Sequence, residues 1–283
     1  MKKLLTLILF SSALFAHSTT TQMRSSIESI DFKNSVQKYS GIVIGVGTTL
    51  LVDKSLFQAT YEYTKTDTKQ PPLSADLKVN KLYFKYSYTL NQNWNINLHY
   101  LNVLSDNIAP TAHGKSYALG ITYNFTPKSS LNFTQYLSDY KDFDVYQSEV
   151  KFEQKIKIDN FKTDLSAISK FIHLDDYESN AFSKNAKEDY ATYGFKVHSH
   201  YASYHLGLGA YFGKRAFAIM NDGFKMQHHA MEFDRTYAGG IGKTFNKLTL
   251  RVQYTYQRAT ELPLQNGKKV DIANSRVLLN YKF

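Results

Sequence analysis

Cysteine is absent from the sequence, tryptophan occurs once and proline occurs five times. Without cysteine the chain has no disulfide framework, no thiolate nucleophile and no thiolate metal site. Beyond its first residues it also lacks any apolar run near the roughly 20 residues that a membrane-spanning helix needs. These absences exclude a disulfide-stapled domain and a bundle of transmembrane helices.

The first residues have the composition of an export signal. Lys2 and Lys3 precede an apolar run from Leu4 to Phe15, and Ala16 is small enough for signal-peptidase cleavage. We therefore predict a signal peptide over residues 1–16, which is removed from the mature protein.

The segment that follows the signal is polar and rich in serine and threonine. We predict residues 17–38 to be an N-terminal lead-in, with a plug or a missing strand as alternatives. The folded domain is then predicted over residues 39–283.

The aromatic content is high for a chain of mean hydropathy −0.39. There are 22 tyrosines and 19 phenylalanines, which amount with tryptophan to 15% of the residues. A transmembrane β-barrel reconciles these facts, because alternate residues face a polar lumen and aromatic girdles flank the lipid face. Mean hydropathy is therefore uninformative here.

Period-two alternation dominates from about Gly41 to the C-terminus and predicts an all-β chain. The pattern predicts twelve strands from Phe57 onward. The segment from Gly41 to Leu51 is a thirteenth, and a partner within residues 28–36 would make fourteen. We predict an antiparallel transmembrane β-barrel of 12 or 14 strands, with short periplasmic turns and long extracellular loops. A secreted β-sandwich is the competing fold, but its core would hold many tyrosine hydroxyls.

The C-terminus carries a resemblance. Val277, Leu279 and Tyr281 alternate towards a terminal Phe283, and this pattern resembles the C-terminal β-signal of Gram-negative outer-membrane barrels. No specific family is indicated. The resemblance implies location in the bacterial outer membrane, contact with its lipid, and recognition by periplasmic chaperones and the barrel assembly machinery.

The alternation also predicts which side chains face the lumen. The inward phase carries many basic residues and only four acids, Glu62, Glu149, Glu153 and Asp164. The predicted pore-lining residues are Lys81, Lys85, His99, Lys151, Lys155, Lys162, Lys170, Lys196, His198, His200, His205, Arg251 and Arg276, with Lys157 and Lys282 in the same phase. Such a wall favours anions, unless the lysines pair with the acids or lie at the rims. The net charge of +10 is spread along strands and not gathered in a basic arm, so we predict no nucleic-acid partner.

Two clusters could hold a metal. His198, His200 and His205 share the inward phase, but the sequence identifies no further ligand. The loop from residue 213 to 233 combines soft ligands suited to copper, namely Met220, Met226, His228, His229 and Met231. Methionine in an apolar loop more often packs, for instance as a constriction in the barrel mouth. We therefore predict neither a metal nor a cofactor.

These features favour a porin-like channel for passive diffusion of small hydrophilic solutes, with a mild anion preference. One alternative is a structural or adhesive barrel whose lumen is closed by the 213–233 loop. Another is a lipid- or protein-hydrolysing enzyme, but Ser199 faces away from its histidine neighbours, and Ser203 and His205 have no orienting acid. We predict no enzymatic activity.

Overall fold

The computed structural model describes residues 20–70, 73–105, 109–181, 183–262 and 268–283, so the predicted signal peptide lies outside it. Fourteen long strands form one closed antiparallel barrel. None of the described residues forms a helix long and apolar enough to cross a membrane.

The barrel strands are β1 Thr20–Lys33, β2 Lys38–Val52, β3 Ser55–Thr68, β4 Leu77–Thr89, β5 Trp94–Ser105, β6 Lys115–Thr126, β7 Ser129–Asp139, β8 Asp144–Ile158, β9 Phe161–Asp175, β10 Asp189–Tyr201, β11 Tyr204–Arg215, β14 Met231–Phe245, β15 Leu248–Glu261 and β16 Lys269–Lys282. Two short strands, β12 Ile219–Met220 and β13 Lys225–Met226, and the 3₁₀ turn Tyr177–Ser179 lie in the connections.

The first strand corrects one sequence interpretation. Residues 17–38 were predicted to be a lead-in, but Thr20–Lys33 forms β1, which pairs with β2 on one side and with β16 on the other. Its alternation is weak because the outward phase carries Ser25 and Ser29 beside Met23 and Ile27. With β1 the barrel has fourteen strands, the larger of the two predicted numbers.

The connections differ in length between the two ends of the barrel. At one end, here called the turn end, two residues join β2 to β3, β6 to β7, β8 to β9, β10 to β11 and β14 to β15. Positive φ angles at Asp53, Asp159, Ala202 and Asn246 reverse four of these tight turns. The longer connections leave the opposite end, here called the loop end.

The outer surface of the barrel is apolar, as the alternation predicts, whereas the inside combines polar pairs with an apolar core that includes Val79, Val103 and Ile172. Large apolar side chains such as Phe195, Leu208 and Ile241 are exposed on the outside. Their neighbours along each strand point into the barrel, where pairs such as Glu149 and Lys170 are buried. The packed core therefore lies inside the barrel.

That core is built around the connection between β11 and β14. Residues 216–230, here called the inserted loop, fold back into the barrel, and Ile219 pairs with Met226 in a small hairpin. Ala216, Phe217 and Ala218 are fully buried. Phe217 packs against Phe143 near the loop end, with ring centroids 4.8 Å apart.

Candidate functional site

The inserted loop is fixed to the wall formed by β8 and β9. The backbone of Ile219 donates to Gln147 Oε1 and accepts from Gln147 Nε2, both at 2.9 Å. Lys170 Nζ also donates to the Ile219 carbonyl oxygen at 3.0 Å and forms a buried ion pair with Glu149. These hydrogen bonds satisfy backbone groups that would otherwise be buried without partners.

The tip of the loop carries an acid among lysines. Asp222 Oδ1 lies 3.0 Å from Lys151 Nζ. Burial opposes ionisation of Asp222, but the charges of Lys151, Lys196 and Lys85 outweigh it and hold the pKa of this carboxyl well below its ordinary value. The loop therefore places one negative charge against three positive ones on the wall.

The far side of the loop contacts the strands across the lumen. The Phe224 ring lies 6.4 Å from that of Tyr83, and the Arg24 guanidinium lies over it at 5.4 Å. Lys225 Nζ lies 3.3 Å from Glu28 Oε1. The loop thus spans the lumen from β8 and β9 to β1 and β4.

Two adjacent histidines follow the tip. Lys81 Nζ lies 3.4 Å from His228 Nδ1, and Lys81 also pairs with Glu62. Burial, together with nearby positive charge from Lys81, lowers the pKa of His228 well below its ordinary value. Burial and the charge of Lys38 do the same for His229. Burial and the nearby positive charges therefore favour the neutral form of both imidazoles.

A cavity of about 440 Å³ lies beside the loop and extends as far as His198 and His205 near the turn end. One wall has almost no side chains, because Gly207, Gly209, Ala238 and Gly240 occupy its inward positions on β11 and β14. A Cβ atom on Gly207 would meet no atom within 4 Å. The open space follows from this glycine wall.

Arginines on the adjacent strands β15, β16 and β1 border the same space. Arg251 and Arg276 line the cavity, and Arg24 lies close enough to Arg276 to interact electrostatically with it. Within the described residues, Nε and Nη2 of Arg24 and Nε of Arg251 are buried without a hydrogen-bond partner. Glu28 Oε2 lies 3.8 Å from Arg276 Nε. This arginine row therefore has hydrogen-bond donors in excess of acceptors.

No known family description and no curated protein matches the sequence. Solved structures do match it. The chain is similar to a bacterial polysaccharide outer membrane secretin (TM-score 0.58, 10% identity, 94% of this chain and 99% of that chain) and to the Ralstonia pickettii toluene transporter TbuX (0.57, 9%, 93% and 90%). It is also similar to the CymD monoaromatic hydrocarbon channel (0.56, 10%, 97% and 91%). The fold is that of an outer-membrane β-barrel.

Within this barrel the predicted pore-lining lysines take three different positions. Lys81 and Lys170 are buried in ion pairs with Glu62 and Glu149. Half-buried residues surround the loop tip, namely Lys85, His99, Lys151 and Lys196. Exposed residues lie near the turn end, namely Lys155, Lys157, Lys162 and Lys282. The sequence left two alternatives to a uniformly basic wall, namely lysines paired with acids and lysines at the rim. Each alternative describes some of the predicted lysines.

Several interior residues of the barrel could not be predicted from the sequence. Arg24 and Glu28 belong to β1, whose weak alternation hid their inward phase. Asp222 lies in a loop, where periodicity gives no direction. The glycine wall could have been found, since Gly207 and Gly240 fall in the inward phase of their strands.

The candidate soft metal ligands mostly serve as core. Met220, Met226 and Met231 are buried among apolar neighbours. Within the described residues, His228 and His229 join no group of three histidine or acidic ligands. These methionines therefore contribute to the packing of the loop inside the barrel.

Proposed function

We propose that this protein is an outer-membrane channel through which small hydrophilic solutes diffuse passively, with a preference for anions. The observation that carries the proposal is the cavity between the glycine wall and the arginine row. A water-accessible space beside guanidinium groups that outnumber the neighbouring acids raises the local concentration of anions and repels cations.

The outer surface supports placement in the outer membrane. Exposed apolar side chains cover the barrel wall, whereas soluble monomers rarely expose contiguous apolar patches larger than a few hundred Å². The short turns would then face the periplasm and the longer connections the exterior. The C-terminal strand β16, together with Phe283 that follows it, would be the segment read by the assembly machinery.

The permeant class follows from the lining. Two similar structures are named as a toluene transporter and a monoaromatic hydrocarbon channel. In this chain the cavity is bordered instead by Arg251, Arg276, Lys196 and His198. Such polar groups favour charged and hydrogen-bonding solutes over aromatic hydrocarbons.

A second candidate function rests on the inserted loop. Because this loop contacts strands on both sides of the lumen, a structural barrel with a closed lumen is the alternative. A variant in which a short Gly-Ser turn replaces residues 216–230 separates the two, since it removes the obstruction and keeps the arginine row.

Planar-bilayer recording of the refolded protein across a KCl gradient tests both. Conductance with a reversal potential closer to the equilibrium potential of chloride than to that of potassium supports the channel. In R251Q/R276Q the reversal potential should move towards the equilibrium potential of potassium. K184Q removes a charge from an exposed position at the loop end and should leave it nearly unchanged. Cation selectivity in the wild type would overturn the charge argument. Conductance in the loop-shortened variant alone would establish the closed barrel, and conductance in neither would exclude a channel.

A further inference from the structure

We infer that His198, His200 and His205 form a transition-metal site at the turn end of the lumen. The three residues each offer one imidazole nitrogen, and these nitrogens lie within 4.8 Å of one another. The ring centroids of His200 are 4.3 Å from His198 and 4.4 Å from His205. The inference does not depend on the protein being a channel.

The hairpin of β10 and β11 holds the ligands in place. His198 and His200 are two residues apart on β10 and therefore face the same way. His205 is the register partner of His200 across the two-residue turn. A ligand set on paired strands is more rigid than one on loops, so little ordering is needed on binding.

The donor chemistry selects the class of metal. Three imidazole nitrogens suit Zn²⁺, Ni²⁺ or Cu²⁺ and not the hard cations Mg²⁺ or Ca²⁺, which prefer oxygen. Metal–nitrogen bonds of about 2.0–2.1 Å would draw the three nitrogens together by side-chain rotation. The half-buried rings leave a further coordination position open to water.

A hydrogen bond orients His205. Its Nε2 lies 2.7 Å from Thr244 Oγ1, which in turn lies 2.9 Å from Thr249 Oγ1. With Nε2–H donating to Thr244, Nδ1 carries the lone pair that a metal needs. Partners of this kind fix the tautomer of metal-binding histidines.

Some charges around the three histidines favour the binding of a metal cation and others oppose it. Asp164 is the register partner of His198 and favours a cation, whereas Lys162 lies opposite His200. Arg251 Nη2 is 3.5 Å from His205 Nδ1, the nitrogen that would bind the metal. Arg251 therefore competes with the metal, and removing its charge should strengthen binding.

Isothermal titration of the untagged, refolded barrel in detergent with Zn²⁺, and separately with Mg²⁺, tests the site. We expect one Zn²⁺ per chain and no Mg²⁺ binding. H198A and H205A should each weaken Zn²⁺ binding by about tenfold or more, and T244V by about tenfold, the lower end of outer-shell effects. R251Q should bind Zn²⁺ more tightly than the wild type, an effect that a merely damaged fold would not produce.

H173A is the matched control, because His173, Glu188 and Asp189 form the other three-ligand group in the described part of the chain. Loss of Zn²⁺ binding in H173A but not in H198A would overturn the inference, as would absence of Zn²⁺ binding in the wild type. Copper-loaded protein adds a second readout, since nitrogen hyperfine splitting in its electron paramagnetic resonance spectrum should be lost in H198A/H205A. Neither measurement requires conductance, so failure of the channel proposal would be seen separately.

Discussion

Gly242 and Arg251 face each other across β14 and β15, and a Cβ atom on Gly242 would lie 2.5 Å from Arg251 Cγ. Gly242 is also the register partner of His205. The missing side chain thus lets the arginine cross β14 to the histidine cluster. One glycine therefore joins the arginine row to the candidate metal site.

Replacement of Gly242 by alanine should displace Arg251 and destabilise the barrel. We expect a loss of about 1–3 kcal/mol, the usual cost of an overpacked site. The measurement is the free energy of unfolding in guanidinium chloride, in a lipid that permits refolding. Gly207→Ala is the control and should change stability by about 0.5 kcal/mol or less, because its Cβ enters open space. Equal effects of the two substitutions would contradict this account of Gly242.

Replacement of Gly207 by tryptophan should obstruct the cavity without unfolding the protein. An aromatic side chain of this size would fill much of the space beside the arginine row, so we expect single-channel conductance to fall by about half or more. Gly239→Trp is the matched control, since a Cβ there would lie 3.6 Å from the outward-facing Leu208. If both variants conducted like the wild type, the glycine wall would not border the solute path.

Replacement of Glu149 by glutamine should strongly destabilise the interior, because Lys170 would keep a buried charge without its counter-ion. Breaking a buried pair in this way costs about 3–5 kcal/mol. Equilibrium unfolding measures the loss, and proteolysis reports release of the inserted loop, since Lys170 also holds the carbonyl of Ile219. The double variant E149Q/K170M should recover much of the stability. A neutral effect of E149Q alone would show that the pair contributes little.

Acid should favour release of the inserted loop. Burial, together with the positive charges of Lys81, Lys38 and Lys225, lowers the pKa values of His228 and His229 inside the barrel. In a released loop they would titrate near the ordinary value of about 6.5. Because the released state binds more protons, insertion is fully stabilised above that pH and weakens as the pH falls below it.

Hydrogen exchange of the inserted loop between pH 8 and pH 5 measures this change after correction for the intrinsic exchange rate. Protection should fall by up to about 1.4 kcal/mol per pH unit for each histidine. H228N/H229N should remove most of the pH dependence. A loop equally protected at both pH values would refute the titration argument.

The strands could be predicted because most of them expose apolar side chains on the outer face and carry many polar side chains on the inner one. Leu82, Phe84 and Tyr86 alternate with Lys81 and Lys85, so the local pattern alone determines the direction of each side chain. The first strand lacked this contrast, since serines replace apolar residues on its outer face.

The destination of the inserted loop could not be predicted in the same way. Its position depends on contacts such as Lys151 with Asp222, which are 71 residues apart. Such pairs follow from the three-dimensional closure of the barrel and leave no periodic signal. The three histidines could be identified from the sequence, because a single hairpin carries them. The distances between them, and the position of the competing Arg251, could not be predicted from the sequence.

The seam between β1 and β16 sets the order in which the barrel can be completed. Asn280 Nδ2 donates to Gln22 Oε1 although the two residues are 258 positions apart. Until the last strand is synthesised and delivered, β1 and β15 each present an unpaired edge, which is a site for aggregation. Closure is therefore a late and entropically costly contact, and a chain truncated before Lys269 would remain an open sheet. The same proximity of the two ends makes a circularly permuted chain, joined at the seam and opened at a tight turn, compatible with this architecture.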